Sequence, residues 1–320
     1  MLEESQDHQE IIQRVVALDI GKASLVCCAR VPGAGGKRAQ EVTTYATMTR
    51  SLQGMADRLM DLAVSRVVME ATSDYWKPAF YLLEAHGFDV WLVNAKDVKH
   101  LPGRPKTDRL DAVWLAKIAE RQMIRPSFVP LPPIRRLRDL TRYRAALVSD
   151  RTGEKNRAEK LLEDAQIKLS VVVSDIFGVW GRDMMSALIG GQRDPMVLAQ
   201  LARSRMRTKI SRLEEAFVGH FTGHHAFLLK QMLTGIDALS ADITELDTRI
   251  EAVIAPFAPA VARLDEIRGV GPTAVHVIIA EIDLDMSRFP TAAHLTSWPA
   301  WPRCQGIRRP QEWHRHHRPR

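Results

Sequence analysis

Two short apolar runs, each closing on a carboxylate, constrain this chain most. Val15-Val16-Ala17-Leu18-Asp19-Ile20 runs into Gly21, and Arg66-Val67-Val68-Met69-Glu70 runs into Ala71 and Thr72. Apolar, β-branched runs of this length predict buried strands. A carboxylate in or at the end of such a strand is costly without a partner. Asp19 and Glu70 are therefore expected to be paired, hydrogen-bonded or on a metal. Ala23 to Val31 and Glu41 to Met48 predict two more strands, separated by a glycine-containing turn from Pro32 to Arg38. Leu52, Met55, Leu59 and Leu62 have helical spacing within Ser51 to Ala63. Tyr75 to His86 predicts a second helix, ended by Gly87, and Asp89 to Asn94 another strand. The order strand, strand, strand, helix, strand, helix, strand, helix predicts an α/β domain over residues 14–125. It would be a mixed sheet flanked by helices, with ligands gathering at strand ends.

The last of those helices opens on Lys106-Thr107-Asp108-Arg109-Leu110-Asp111-Ala112. On a helix, Asp108 and Asp111 share a face. Like charges held that close repel, and a divalent cation with oxygen ligands relieves them. The plainer alternative is an acidic first turn, which the helix dipole favours by itself. Asp19 and Glu70 at strand ends shift the balance. Four converging carboxylates suit two Mg²⁺ (or Mn²⁺) ions, which clamp the attacking and leaving oxygens of a phosphodiester.

Pro126, Pro130, Pro132 and Pro133 mark a boundary that a helix cannot cross. Beyond it the pattern is helical. Arg135 to Leu169 predicts a long helix whose segment Arg135 to Lys160 holds nine Arg or Lys against Asp139, Asp150, Glu154 and Glu159. Arg142, Arg144 and Arg151 are the expected contacts to nucleic acid or a partner protomer; the alternative is a helix packed on its own domain. Ser170 to Arg212 predicts short helices broken at Gly178, Gly190-Gly191 and Pro195, and Ala226 to Ile254 another long helix. Arg203, Arg205, Arg207, Lys209 and Arg212 fall close together with no acid among them, a pattern that a solvated face also explains. His220, His224 and His225 lack a Cys or acid at ligand spacing, so they are expected to be structural or solvent-facing.

Leu264 to Val275 contains Arg268-Gly269-Val270-Gly271-Pro272-Thr273. The glycines allow a tight turn, and Pro272 suits the first position of a new helix. A helix-hairpin-helix of this kind offers backbone N–H groups to a phosphate, with Arg268 beside them. Arg268, Gly269, Gly271 and Thr273 are thus candidate DNA contacts, unless the segment is an ordinary connector.

The chain is long enough for two or three cores, and 46% hydrophobic with 26% charged residues is ordinary for a soluble globular protein. No run reaches the length of a membrane span, and the polar, acidic start argues against a signal peptide. Cys27, Cys28 and Cys304 form no disulfide or zinc spacing, so a cytoplasmic location is expected. Residues 299–320 hold six Arg and one Glu, so most of the formal charge of +7 sits there. The overall basicity is weak evidence for a nucleic-acid partner; local patches are better evidence.

Ala17 to Lys22, Val68 to Thr72 and Lys106 to Ala112 resemble, in order, the three acidic motifs of the DEDD insertion-sequence transposases of the one-hundred-and-ten group. That resemblance covers residues 14–125. It implies an RNase H-like (RuvC-like) catalytic domain, with Asp19, Glu70, Asp108 and Asp111 as the catalytic, Mg²⁺-binding set. It also implies a helical linker over 126–256, which in the family helps dimerisation and RNA contact, and the start of a helical C-terminal transposase domain over 257–298. The implied reaction is strand exchange of DNA by a homo-oligomer guided by a bridge RNA, with a serine nucleophile from the C-terminal domain. Residues 1–13 would be a polar extension.

At Trp298 the resemblance stops. Residues 299–320 contain no Ser or Thr and no hydrophobic periodicity, and Ser297 lies before the family's serine motif. Arg, Pro, His and Trp usage of this kind is what GC-rich DNA yields when translated out of frame. The stretch is expected to be disordered and the chain defective in strand exchange. Two other functions fit the same residues: a metal-dependent DNA or Holliday-junction nuclease using the four acids alone, and a catalytically dead nucleic-acid-binding protein.

Overall fold

The computed structural model describes residues 11–70, 73–95, 98 and 108–296. The side chains of Asp108 and Thr296, at the ends of helices, lie outside that description, as do Lys106, Thr107 and the basic stretch 299–320. The chain divides into two compact units, residues 1–129 and 130–320.

The first unit is a five-stranded sheet. Its strands are β1 (Val15–Ile20), β2 (Ser24–Pro32), β3 (Arg38–Ala46), β4 (Arg66–Glu70) and β5 (Asp89–Val93), in the spatial order β3-β2-β1-β4-β5. β1, β2 and β3 form an antiparallel meander, while β4 pairs parallel to β1 and β5 parallel to β4. The turn into β2 is tight: the Gly21 amide donates to the Ser24 carbonyl at 2.9 Å. The turn into β3 uses Gly35 and Gly36 at φ +65° and +75°, a region that favours glycine. β3 begins earlier than the propensity of its residues predicts, because pairing with β2 extends to Pro32 opposite Arg38.

Helices cover both faces of this sheet, so β1 reads as continuously apolar up to Asp19. On one face Val16, Leu18, Ile20, Cys27, Val67 and Met69 pack against α1 (Thr49–Asp61) and α2 (Trp76–Ala85) through Leu52, Met55, Leu59, Phe80 and Leu83. On the other, Val15, Ala17, Cys28, Val68 and Val93 meet α3 (Asp108–Glu120) through Ala112, Leu115, Ala116 and Ala119. Strand order and direction are those of the RNase H-like fold.

The second unit is helical. Two long helices, α4 (Pro132–Asp164) and α9 (Gly223–Ile254), run along each other. Pro132 opens α4 at a position where a missing N–H costs nothing. The helix ends at Asp164, short of the predicted Leu169, because Gln166 takes φ +62° and turns the chain. Between the long helices lie α5 (Leu169–Val172), α6 (Val179–Ile189), α7 (Pro195–Ala199) and α8 (Ile210–Ala216). They share a core with Leu162, Leu229, Leu233 and Ile236. A separate core unites Ile134, Leu137, Ile250 and Ile254 with α10 (Ala258–Asp265) and α11 (Pro272–Ile282), through Val275, Ile279 and Ala280. α12 (Ala292–Thr296) follows. Among the described residues no helix is long and apolar enough to cross a membrane.

Candidate active site

Strand parity decides where the acids of the first unit point. Side chains alternate along a strand, so Asp19 falls on the face of Val15 and Ala17, and Glu70 on the face of Val68. That is the face covered by α3. β1 and β4 are paired in parallel as far as Leu18 opposite Met69, so the next step sets Asp19 beside Glu70 at the strand ends. On α3, Ala112, Leu115, Ala116 and Ala119 turn to the sheet, and Asp111 and Trp114 flank that stripe. The result is a narrow cleft lined by Asp19, Glu70, Asp111, Trp114 and Leu115. All three carboxylate residues are partly buried.

Asp108 is the first residue of α3, one turn ahead of Asp111. The donor chemistry of the cleft is entirely carboxylate oxygen, the kind that hard divalent cations take. Among the described residues no group of three or more His, Cys, Asp or Glu is gathered tightly enough to hold a metal ion.

A second cluster fixes the far end of α3. Glu120 is 6% exposed and sits between two arginines of the β2–β3 hairpin. Arg30 donates Nε to Glu120 Oε2 at 2.7 Å, and Arg38 Nε lies 2.6 Å from Oε1 as an ion pair without hydrogen-bond alignment. The Glu120 carbonyl also accepts from the Ile12 amide at 3.0 Å. This clamp holds the helix that carries Asp111 against the sheet. Sequence reasoning missed Glu120 and Trp114. The available signals were an acid closing an apolar helix stripe and an aromatic three residues after Asp111.

In the second unit the arginines expected to face a partner have intramolecular ones. Arg142 donates Nε and Nη2 to the two carboxylate oxygens of Glu281 at 2.7 and 2.8 Å. Arg138 donates to the carbonyls of Ala280 and Glu281, each at 2.9 Å. Arg144 pairs with Asp247 on α9, and Arg151 reaches Ser240 Oγ at 3.4 Å. Burial lowers the Arg138 pKa from its ordinary value, whereas the hydrogen bond that Arg142 donates to Glu281 raises that of Arg142. These arginines tie α4 to α9 and α11.

The segment 264–275 is a helix–turn–helix connection. α10 ends at Asp265, Gly269 takes φ +91°, and α11 starts at Pro272 with Gly271 as its cap. Arg268, Gly269, Gly271 and Thr273 are exposed, the glycines holding the turn. The histidines are structural where they are buried: Thr222 and His225 form a capping box at the start of α9, and His225 Nε2 lies 3.1 Å from Asp164 Oδ2.

A family model described as a transposase, of the DEDD IS110 type, matches residues 16–167. A second, described as transposase IS116/IS110/IS902 family, matches residues 261–300. Comparison with curated proteins gives no match. Among solved structures, Thermus thermophilus RuvC in complex with a Holliday junction substrate is 14% identical. The match covers 36% of this chain and 100% of that one, at a TM-score of 0.26. A second Thermus thermophilus RuvC structure gives the same identity and coverage at 0.27. Two transposase models in the expected order, one spanning the strand-end acids and one spanning the α11 turn, place this chain in the IS110-type family of DEDD transposases.

Proposed function

We propose that this chain binds DNA and acts on its phosphodiesters through Asp19, Glu70, Asp108 and Asp111, which together hold Mg²⁺ (or Mn²⁺). The observation that carries the reading is the convergence of Asp19, Glu70 and Asp111 on one cleft, with Asp108 one turn ahead on the same helix. The bound cation supplies charge neutralisation and Lewis-acid activation at a phosphodiester. Asp19 and Glu70 orient their oxygens from rigid paired strands. Asp111 is set by α3, which Glu120 anchors. Trp114 and Leu115 wall the cleft. The exposed turn at Arg268, Gly269, Gly271 and Thr273 offers amide donors and a guanidinium to a DNA phosphate. A bridge RNA, a homo-oligomeric assembly and work in the cytoplasm belong to the same reading.

The test is Mn²⁺ binding by calorimetry, beside cleavage of supercoiled DNA. Asp19→Asn is expected to lose the cation and the cleavage while its thermal unfolding is unchanged. An Asp19→Asn chain that still binds Mn²⁺ as the parent does would show the assignment to be wrong.

One observation favours a hydrolytic outcome. Residues 299–320 contain no Ser or Thr, so that stretch supplies no hydroxyl for a covalent protein–DNA link. Water as nucleophile gives nicking, not exchange. Nicked plasmid free of attached protein is the expected product; recombinant junctions made by the chain with a cognate RNA would refute this.

A further inference from the structure

The two basic stretches of the second unit have opposite fates. On α4, Arg138, Arg142 and Arg144 spend their guanidinium groups on Glu281, Asp247 and backbone carbonyls of the same unit. On the turn at 203–212 they do not. Arg203 pairs with Asp183 on α6 at 2.7 Å, and Lys209 donates Nζ to the Val172 carbonyl at 2.8 Å. Among the described residues, Arg205, Arg207 and Arg212 have no carboxylate partner, although Glu214 and Glu215 follow on α8. All three are exposed.

The backbone beneath them is fixed. Ala202 and Leu213 are buried in the core of this end of the unit, and Met206 and Ile210 pack against it. Those four inward positions hold a turn of 3₁₀-helix, Ser204–Lys209, that leads into α8. Ser204 reverses the chain at φ +49°. The apolar residues face in and the arginines stand outside on a short arc whose backbone the core holds, so little backbone order has to be gained when a ligand binds. A solvated face does not require that. Solubility is served by any mixture of charges, yet this arc carries one sign only.

We propose that Arg205, Arg207 and Arg212 form a docking surface for the phosphate backbone of duplex DNA. This rests on the reading that the chain acts on DNA. Guanidinium groups fit phosphate by paired N–H donation, and a one-sign arc contacts successive phosphates without reading bases. The surface belongs to the second unit and is separate in sequence from the acidic cleft and from the turn at Arg268.

The experiment compares the full chain with its Arg205→Gln, Arg207→Gln, Arg212→Gln triple variant. Binding to a fluorescent DNA duplex is measured by anisotropy from about 50 to 200 mM salt. Three lost phosphate contacts correspond to a slope of log K against log salt that is shallower by about 2.7, uniformly across sequences. The substituted residues are exposed, so far-UV circular dichroism is expected to be unchanged. A slope unaltered within about half a unit in a folded triple variant overturns the proposal while leaving the acidic-cleft reading standing. A slope lost only on RNA overturns the choice of DNA. A parent chain that binds no DNA at all sinks the functional reading and this proposal with it.

Discussion

Arg142 on α4 closes a two-pronged hydrogen bond on Glu281, a residue with no exposed surface at the end of α11. Arg138 adds a third charge, its Nε 3.6 Å from Glu281 Oε2. The helices are separated by more than a hundred residues of sequence, yet one carboxylate holds two cations of α4 against α11. Removing it strands Arg138, whose guanidinium is largely buried. Glu281→Ala is expected to cost about 3 kcal/mol, since an uncompensated buried charge is left behind. Urea unfolding followed by circular dichroism checks this; a loss under about 1 kcal/mol would mean the pair contributes no more than a surface bridge.

Glu120 has the same logic in the first unit and a functional consequence. It forms ion pairs with Arg30 and Arg38 at once and ends the helix bearing Asp111. Glu120→Gln keeps the shape and removes the charge. The variant is expected to unfold at lower temperature by several degrees, corresponding to about 2 kcal/mol, and to lose DNA cleavage through misplacement of Asp111. Cleavage at the parent rate in a destabilised variant would separate the clamp from the site.

Cys27 and Cys28 are neighbours that face opposite cores. Burial pushes the Cys27 thiol up to about 12 and the Cys28 thiol to about 11. Both stay protonated near neutral pH and are poor nucleophiles. At pH 8, peptide mapping after iodoacetamide treatment of the folded chain should find both unmodified, and both modified after unfolding. The sign of the pH effect follows. Above the ordinary value of 9.0 the unfolded chain releases these protons and the folded chain keeps them. Stability contributed by the neutral thiols is complete below pH 9.0 and falls as pH rises towards their folded values. Cys27→Ala should lessen that alkaline loss.

Gly181 lies in α6 where a methyl group would overlap the Ile176 carbonyl. The obstacle is backbone, so no side chain can yield. Gly181→Ala is expected to destabilise the second unit by about 2 kcal/mol despite the better helix propensity of alanine. An unchanged midpoint in urea would show that the Ile176 turn shifts freely.

Local pattern was enough to mark the strands and helices of the first unit and to bring Asp19 and Glu70 to strand ends. Apolar runs ending in Asp19 and Glu70, and the spacing of Leu52, Met55 and Leu59, are short-range signals, so strands and helices of the first unit are legible within a few residues. Strand parity even assigns both acids a face. What parity cannot assign is which face α3 covers. That is decided by the packing of Ala112, Leu115, Ala116 and Ala119 on Val15, Ala17 and Val68, and it brings Asp111 to the same cleft. The arginines show the limit from the other side. In sequence, Arg142 and Arg144 look as available as Arg205 and Arg207, because a charge run does not reveal what lies across from it. Only the folded chain brings Glu281 and Asp247 to α4 and leaves Arg205, Arg207 and Arg212 without a carboxylate among the described residues. Whether a cation is consumed or available depends on residues remote in sequence. Electrostatic pairing acts over ångströms of space, while helix and strand propensity acts over neighbours in the chain.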